Sequence, residues 1–421
     1  MSPTPFPEPL VITTSRTAVA EFARFLRTET VGGIVLLVAA GIALILANTP
    51  LDEVYAAVRD FTIGPASLHL DLTLAQWATD GLLAVFFFVV GLELKRELVV
   101  GELSRPRDAV LPVAAAIGGI VVPAAVALAV GRGAPGMDQA WTIPVATDIA
   151  FALGVLALAG RSLPSSARIF LLGLAVVDDL GAIILIAVLF TGGLQLLALA
   201  AAAALCGLYA LLQHRRVRSP LIYVPLALAT WVAVHEAGVH ATIAGVALAL
   251  LTRVRRDDGE DESPAIRLEH RLQPFSAGFC VPVFAFLAAG VPIGVPVLAE
   301  MLSEPVSQAV IAGLLVGKVV GIFGASFLVV KLTPACRPRD LRWRDVLAVS
   351  MLGGVGFTVS LLMTELSLAD APGPLAETVK ASVLIASAAA AILAAVVLVG
   401  RSRAHRRRRG RATYGSGHAS A

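Results

Sequence analysis

Charged side chains are scarce in this sequence. Asp, Glu, Lys and Arg make up 15% of its 421 residues, whereas 57% of the residues are hydrophobic. Soluble domains carry about 25% charged and about half apolar residues, so this composition excludes an ordinary soluble protein. It predicts a chain embedded in a lipid bilayer, so we expect lipid to be a partner of the protein. Because no polar stretch is long enough for a separate soluble unit, we expect one membrane domain.

Cysteine is also rare. The three cysteines, Cys206, Cys280 and Cys336, are an odd number at scattered positions. This pattern excludes a disulfide framework and a cysteine-based metal site, so we expect no resident cofactor. The N-terminal thirty residues lack a short charged region followed by an apolar core and a cleavage site, so we expect no signal peptide.

Long apolar runs occupy most of the chain. Twelve of them lie between residues 31 and 399 and predict an all-α integral membrane domain of about twelve transmembrane helices. Residues 1–30 are expected to form a cytoplasmic N-terminal segment, and residues 400–421 a basic, disordered cytoplasmic tail. The arginine run Arg406 to Arg409 resembles a nucleic-acid patch, but beside a final span it more simply contacts anionic lipid. We therefore expect no nucleic-acid partner.

The basic residues are distributed unevenly. Threading the twelve spans alternately places 29 of the 33 lysines and arginines on one side, with both termini. The opposite side carries only Arg59 and Arg132, while Lys318 and Lys380 fall within or at the edge of spans. By the positive-inside rule, the basic side and both termini are predicted to be cytoplasmic.

A few ionisable residues interrupt the apolar spans, where each costs at least a few kcal/mol and is a functional candidate by default. They are Asp80, Asp148, Asp178, Asp179 and Lys318. Neighbouring helical residues are rotated by about 100°, so Asp178 and Asp179 are expected to have different partners. We expect Lys318 to pair with one of them, while the other faces a water-filled cavity together with Asp148.

Such a cluster suits an alkali cation that sheds its water. Hard cations prefer oxygen ligands, here carboxylates, backbone carbonyls and hydroxyls such as that of Thr147. Two nearby carboxylates repel each other, so one holds a proton until a bound cation neutralises the pair. Sodium and protons would then compete for one site. Lys318 can release a proton where arginine could not, although a purely structural tether to Asp178 is the alternative.

Two places in the chain are expected to interrupt helices. Pro144 precedes Thr147 and Asp148 in the fourth span, and a glycine-rich segment from Gly353 to Thr358 lies in the eleventh. The two spans are seven apart and therefore traverse the membrane in opposite directions. This parity is what an inverted repeat of spans three to five and ten to twelve requires, with a site near the midplane.

Taken together, these motifs resemble the NhaA-type sodium/proton antiporters from about Arg24 to Val399. The resemblance rests on six segments in order: FFFVVGLELKRE (86–97), ATDIAFALG (146–154), VDDLGAI (177–183), GVHATIAGV (238–246), LEH (268–270) and GVGFTVS (354–360). It implies a twelve-helix fold with inverted repeats and two crossing broken helices. In such a fold Asp178 and Asp179 would carry the ion and protons, and Asp148, Lys318 and Thr147 would compensate the half-helix ends. Lys318 would also contact Asp178.

The resemblance also implies how the protein works in the cell. It implies Na⁺ export, with Li⁺ as a further cargo, in exchange for H⁺ uptake by a pH-regulated homodimer in the bacterial inner (plasma) membrane. The positions that match those linked with pH response in the family are Glu93, Arg96, Glu97, Glu269 and His240. For His240 alone, a packing role is equally consistent with the sequence.

Three other classes of membrane protein were weighed. An intramembrane aspartyl protease also needs two buried carboxylates, but its tyrosine-aspartate and glycine-x-glycine-aspartate signatures are absent from the sequence. A channel is disfavoured because no pore-loop motif occurs. A sodium-coupled solute symporter of similar inverted-repeat fold remains the main alternative, and it would require a pocket for an organic substrate. We therefore expect a secondary transporter rather than an enzyme.

Overall fold

The computed structural model describes residues 29–66, 69–333, 337–338, 340–369, 371 and 374–417. Of the expected N-terminal segment 1–30, residues 1–28 lie outside the described residues, and so does Cys336. In chain order the main elements are α1 Glu29–Ala47, α2 Asp52–Arg59, β1 Thr62–Ile63, β2 Leu72–Thr73, α3 Leu74–Val99, α4 Pro106–Val130, α5 Met137–Ala140, α6 Ile149–Ala159, α7 Ser165–Leu189, α8 Leu196–His214, α9 Pro220–Glu236, α10 Thr242–Leu251, α11 Pro264–Ala288, α12 Val295–Ser303, α13 Pro305–Leu332, α14 Trp343–Leu352, α15 Phe357–Ser367 and α16 Leu375–Gly417.

The described chain is mostly helical, and its helices are apolar enough for a bilayer. Eight candidate spans are long enough to cross a membrane, and α14 with α15 make a ninth if the bent pair counts as one. Three shorter apolar helices, α1, α9 and α10, accompany them. The predicted class, an all-α membrane protein, is confirmed. The strands β1 and β2 form a small antiparallel hairpin between α2 and α3.

Many large apolar side chains point away from the protein. Leu197 on α8 is 87% exposed and Leu221 on α9 is 85% exposed. Only 11% of an 18-residue apolar stretch of α8 is buried inside the protein. Contiguous apolar surface of this kind needs a cover, and a lipid phase provides one.

Two irregular stretches interrupt the helical pattern near the expected positions. A 3₁₀ turn at Ile143–Val145 follows α5, and the chain is then extended until α6 begins at Ile149. The second interruption separates α14 from α15 across residues 353–356, where the two axes meet at 46°. Pro144 has no N–H and sits in the first turn of the 3₁₀ segment, where none is needed.

The closest helix packing joins α4 to α13. Gly118 and Gly321 face each other, and a Cβ on either would overlap the other's backbone carbonyl. Small residues allow such close approach between helices in a membrane. Lys318 lies one turn before Gly321, just after a π-helical stretch at Gly313–Gly317, so this packing fixes where its side chain points.

The last helix extends beyond Val399, into the segment expected to form the cytoplasmic tail, and ends at Gly417. Beyond the apolar segment, Arg401 Nε and His405 Nε2 contact the buried carboxylate of Asp345 at 2.8 Å and 3.1 Å. The side chains of residues 408–417 are not described.

Candidate functional site

Asp148 lies where the two interrupted stretches cross. It is the N-cap of α6, and its Oδ1 accepts a hydrogen bond of 3.0 Å from the Phe151 backbone N–H. Its Oδ2 accepts hydrogen bonds from Thr358, at 2.7 Å from Oγ1 and 3.3 Å from the backbone N–H. Helix N-termini carry partial positive charge and free N–H groups. One buried carboxylate therefore serves the N-termini of both α6 and α15.

Further hydrogen bonds tie the two stretches together at their backbones. The Asp148 backbone N–H donates to the carbonyl of Val355 at 2.7 Å, and Thr147 Oγ1 donates to the carbonyl of Gly353 at 2.9 Å. Carbonyls at the end of a helix lack partners within that helix. The residues before α6 thus satisfy carbonyls freed at the end of α14, and the crossing becomes a single hydrogen-bonded unit.

An ion pair joins the middle of α7 to α13. Lys318, with 0% side-chain exposure, donates from Nζ to both carboxylate oxygens of Asp178, at 2.9 Å and 2.7 Å. Charge-assisted hydrogen bonds of this length are strong, and both partners are fully buried. Thr147 is a hydrogen-bonding neighbour of the Asp178 carboxylate, so the ion pair lies next to the crossing. The expected pairing of Lys318 with one of the two aspartates is present, and Asp178 is that aspartate.

Asp179 is buried without such a partner. It is 3% exposed, and among the described residues no hydrogen bond or ion pair to its carboxylate is found. Its neighbour Asp178, in contrast, is paired with the ammonium group of Lys318. A buried carboxylate in surplus negative charge is stable only with a proton or a cation. The geometry therefore marks Asp179 as the place where positive charge is missing.

Four of the five residues expected to respond to pH lie together at the C-terminal end of α3. Arg96 is at their centre, with nitrogen–oxygen distances of 3.3 Å to Glu269 on α11, 3.7 Å to Glu97 and 3.9 Å to Glu93. Glu93, Arg96 and Glu97 lie on α3, which packs against α7, the helix of Asp178 and Asp179. The distances are longer than ideal ion-pair hydrogen bonds, and rearrangement between partners therefore costs little.

The fifth residue lies at the opposite end of α3. His240 Nε2 is 3.6 Å from Asp80 Oδ1, and His235 Nδ1 is 4.0 Å from Asp80 Oδ2. Asp80 sits in a π-helical stretch at Trp77–Leu82, a local distortion that is frequent at functional sites. His240 therefore lies apart from the other four residues. Asp80 has two histidine neighbours, His235 and His240.

Sequence reasoning missed several residues of the crossing. Thr358 ends the segment that was singled out for its glycines, and Ser360 lies two residues beyond it. Their hydroxyls nevertheless make contacts at the crossing, and Ser360 Oγ donates to the Ile143 carbonyl at 2.8 Å. Ser387 on α16 was missed entirely, although its Oγ accepts from the backbone N–H groups of Gly356 and Phe357. A serine in an apolar span gives no signal, since most such hydroxyls bond their own helix.

Comparisons of the sequence with known proteins identify the family. Residues 23–398 match the family model described as Na+/H+ antiporter 1. The chain is 65% identical over 383 residues to Na(+)/H(+) antiporter NhaA 1 of Saccharopolyspora erythraea, covering 91% of this chain and 92% of that protein. It is 60% identical to Na(+)/H(+) antiporter NhaA 2 of Rhodococcus jostii, covering 93% and 95% of the two chains.

A third relative, Na(+)/H(+) antiporter NhaA of Nocardia farcinica, is 58% identical over 389 residues, which cover 92% of this chain and 93% of that protein. The matched range of the family model, residues 23–398, includes the interrupted helices, both aspartates of α7 and Lys318. The protein therefore belongs to the NhaA family of Na⁺/H⁺ antiporters.

Proposed function

We propose that this protein exchanges Na⁺ for H⁺ across the bacterial inner membrane, exporting sodium as protons enter. The observation that carries the proposal is Asp179, a buried carboxylate beside a second, lysine-paired carboxylate and without a partner of its own. Family membership supports the exchange reaction, and the geometry supports the residues that perform it.

The proposed mechanism is competition for the two carboxylates of α7. When protons occupy the site, Asp179 holds one as a carboxylic acid and Lys318 holds one as an ammonium group bonded to Asp178. Sodium would bind between Asp178 and Asp179, because carboxylate oxygens suit this hard cation. Its charge displaces the proton of Asp179 and frees Asp178 from Lys318, whose ammonium group can then lose a proton.

The crossing would hold this site in place while allowing it to change access. Asp148 and Thr147 neutralise the ends of the interrupted stretches, so the half-helices can lie at membrane depth without bare backbone groups. We propose that α5 with α6 forms one broken span and α14 with α15 another. Counting each pair once and adding α1, α9 and α10 gives twelve spans, with both termini in the cytoplasm.

Regulation is proposed to reside in the charges at the ends of α3. Glu93, Arg96, Glu97 and Glu269 would lie at the cytoplasmic mouth, where changes in their protonation alter how Arg96 is shared. His240 would act from the outer end through Asp80. Transport of Li⁺ and a homodimeric assembly are further proposals that rest on the family resemblance.

Everted membrane vesicles test the exchange reaction directly. A pH gradient is imposed by respiration and followed with a fluorescent amine, and NaCl is then added without any organic solute. An antiporter collapses the gradient on addition of sodium, whereas choline chloride leaves it intact. A sodium-coupled solute symporter would leave the gradient unchanged until an organic substrate is supplied, and that result would contradict the proposal.

A further inference from the structure

The first residues of α15 present free backbone N–H groups, as every helix N-terminus does. The Thr358 N–H is taken by Asp148 Oδ2 at 3.3 Å. The N–H groups of Gly356 and Phe357 donate instead to Ser387 Oγ, at 3.2 Å and 3.1 Å. Two acceptors, Asp148 and Ser387, therefore divide the N-terminus of this half-helix between them.

Ser387 comes from outside the crossing. It is 1% exposed, lies on α16 and reaches the N-terminus of α15 from the side of the last helix. Gly356 and Phe357 are buried as well, so water is not available to replace the hydroxyl. Without Ser387, the two N–H groups would be left to the nearest remaining acceptor.

The other acceptor at this N-terminus is Asp148, which already bonds Thr358 and Phe151. A carboxylate that must also serve two more N–H groups is held more tightly by the positive end of α15. It would carry its neighbour Thr147 with it, and Thr147 acts on Asp178. A change in how the start of α15 is capped would therefore reach the Asp178 carboxylate through Asp148 and Thr147.

We propose that Ser387 is a positioning residue for sodium binding, acting by capping α15 so that Asp148 and Thr147 keep their places beside Asp178. The proposal rests on the exchange function proposed above and adds a residue of α16 to its machinery. Ser387 does not touch the ion in this arrangement. Its removal is therefore expected to change the apparent affinity for sodium more than the maximal rate.

The chain supplies a matched control on the same helix. Ser382 is also buried, five residues before Ser387, but its Oγ donates to the carbonyl of Thr378 within α16. Ser382→Ala removes the same atom from the same helix without touching α15. Ser387→Thr keeps a hydroxyl acceptor, and Ser387→Cys keeps the size with a weaker acceptor.

The test measures sodium-dependent proton flux at fixed pH in proteoliposomes that contain equal amounts of folded protein. Ser387→Ala is expected to raise the apparent KM for Na⁺ by about tenfold, the change that a free-energy loss of about 1.4 kcal/mol produces, with the maximal rate changed less than about twofold. Ser382→Ala is expected to leave KM unchanged, Ser387→Thr to restore it, and Ser387→Cys to fall between.

Several outcomes would overturn the proposal. An unchanged KM in Ser387→Ala, an equal rise in Ser382→Ala, or a loss of maximal rate alone would each show that Ser387 has no positioning role. If Ser387→Ala does not accumulate in the membrane, the KM of Ser387→Cys decides by the same criterion. Absence of exchange in the unsubstituted protein would instead contradict the proposed function itself.

Discussion

At the residue scale, the ion pair between Asp178 and Lys318 is the most consequential contact. Both side chains are buried, and removing one partner of a buried pair costs about 3–5 kcal/mol because the other charge is left unpaired. We predict that Lys318→Met alone lowers the stability of the purified protein strongly. The double variant Asp178→Asn with Lys318→Met should recover much of that loss, since no charge remains uncompensated.

A double-mutant cycle of thermal unfolding in detergent measures this coupling. The control is the exposed pair Arg59 and Asp60, for which a coupling of at most about 1 kcal/mol is expected. If the losses of stability in Asp178→Asn and Lys318→Met simply add, the two side chains are not energetically coupled in the folded protein.

Tyr55 provides a pH-dependent prediction outside the spans. Its hydroxyl, on α2, donates to the carbonyls of Phe286 and Leu287 at the end of α11, and burial raises the pKa of Tyr55 to about 12 from 10.0. The folded state thus favours the neutral phenol. The stabilisation is fully present below pH 10 and is lost as the pH rises through 12.

Melting temperatures from pH 8 to 11.5 check this prediction. Tyr55→Phe is expected to be less stable at pH 8, because it lacks the donor, and to lose less stability than the unsubstituted protein as the pH rises. Parallel curves for the two proteins would show that Tyr55 titrates at its ordinary value.

Single residues also show what the sequence could reveal about the site. Asp148, Asp178, Asp179 and Lys318 were identifiable because a charge in an apolar span is energetically anomalous, whatever the fold. Which carboxylate pairs with Lys318 depends on the rotation of α7 against α13, which residue spacing alone does not give; it was the family resemblance that pointed to Asp178. Ser387 could not be identified, because its partners are the backbone N–H groups of Gly356 and Phe357. These lie 31 and 30 residues from Ser387 in the sequence and come close to it only in the folded protein.

At the element scale, the packing of α4 against α13 positions Lys318. A Cβ at Gly321 would overlap the backbone of Gly118, whereas a Cβ at Gly324 meets nothing within 4 Å. We predict that Gly321→Ala pushes the helices apart and costs about 1–3 kcal/mol, as overpacking does. Gly324→Ala on the same helix should be neutral or slightly stabilising, because alanine favours helix.

Melting temperature and sodium-dependent flux of the two variants test this. Gly321→Ala should lose both stability and exchange, since Lys318 moves with its helix, while Gly324→Ala should keep both. Equal behaviour of the two variants would mean that the close approach of α4 and α13 is not required.

Elements differ in how well the sequence predicts them. The interruptions near Pro144 and Gly353 were predictable because proline and glycine act locally on the backbone. The start of α11 was not, because the helix begins at Pro264, within a charged segment that precedes the apolar residues. Its first turns carry Arg267 and Glu269, so hydropathy alone does not reveal that they belong to the same helix as the apolar residues.

At the scale of the whole molecule, the distribution of basic residues predicts the orientation in the membrane. In a background with Cys206, Cys280 and Cys336 replaced by serine, we predict that Gln195→Cys reacts with an impermeant maleimide added outside intact cells. Asp258→Cys should react only after the membrane is permeabilised, because the connection between α10 and α11 is assigned to the cytoplasm. Both positions are exposed in the structure. The reverse pattern would invert the orientation and the assignment of both mouths.

The central claim is that Asp179 is the carboxylate at which sodium and protons compete. The most direct measurement is sodium-induced collapse of a pH gradient in everted vesicles that carry Asp179→Asn, with Asp258→Asn, an exposed loop substitution, as the control. The account predicts no collapse by Asp179→Asn at any sodium concentration and normal collapse by Asp258→Asn, at equal amounts of folded protein in the membrane. Sodium-dependent collapse of the gradient by Asp179→Asn would contradict the account.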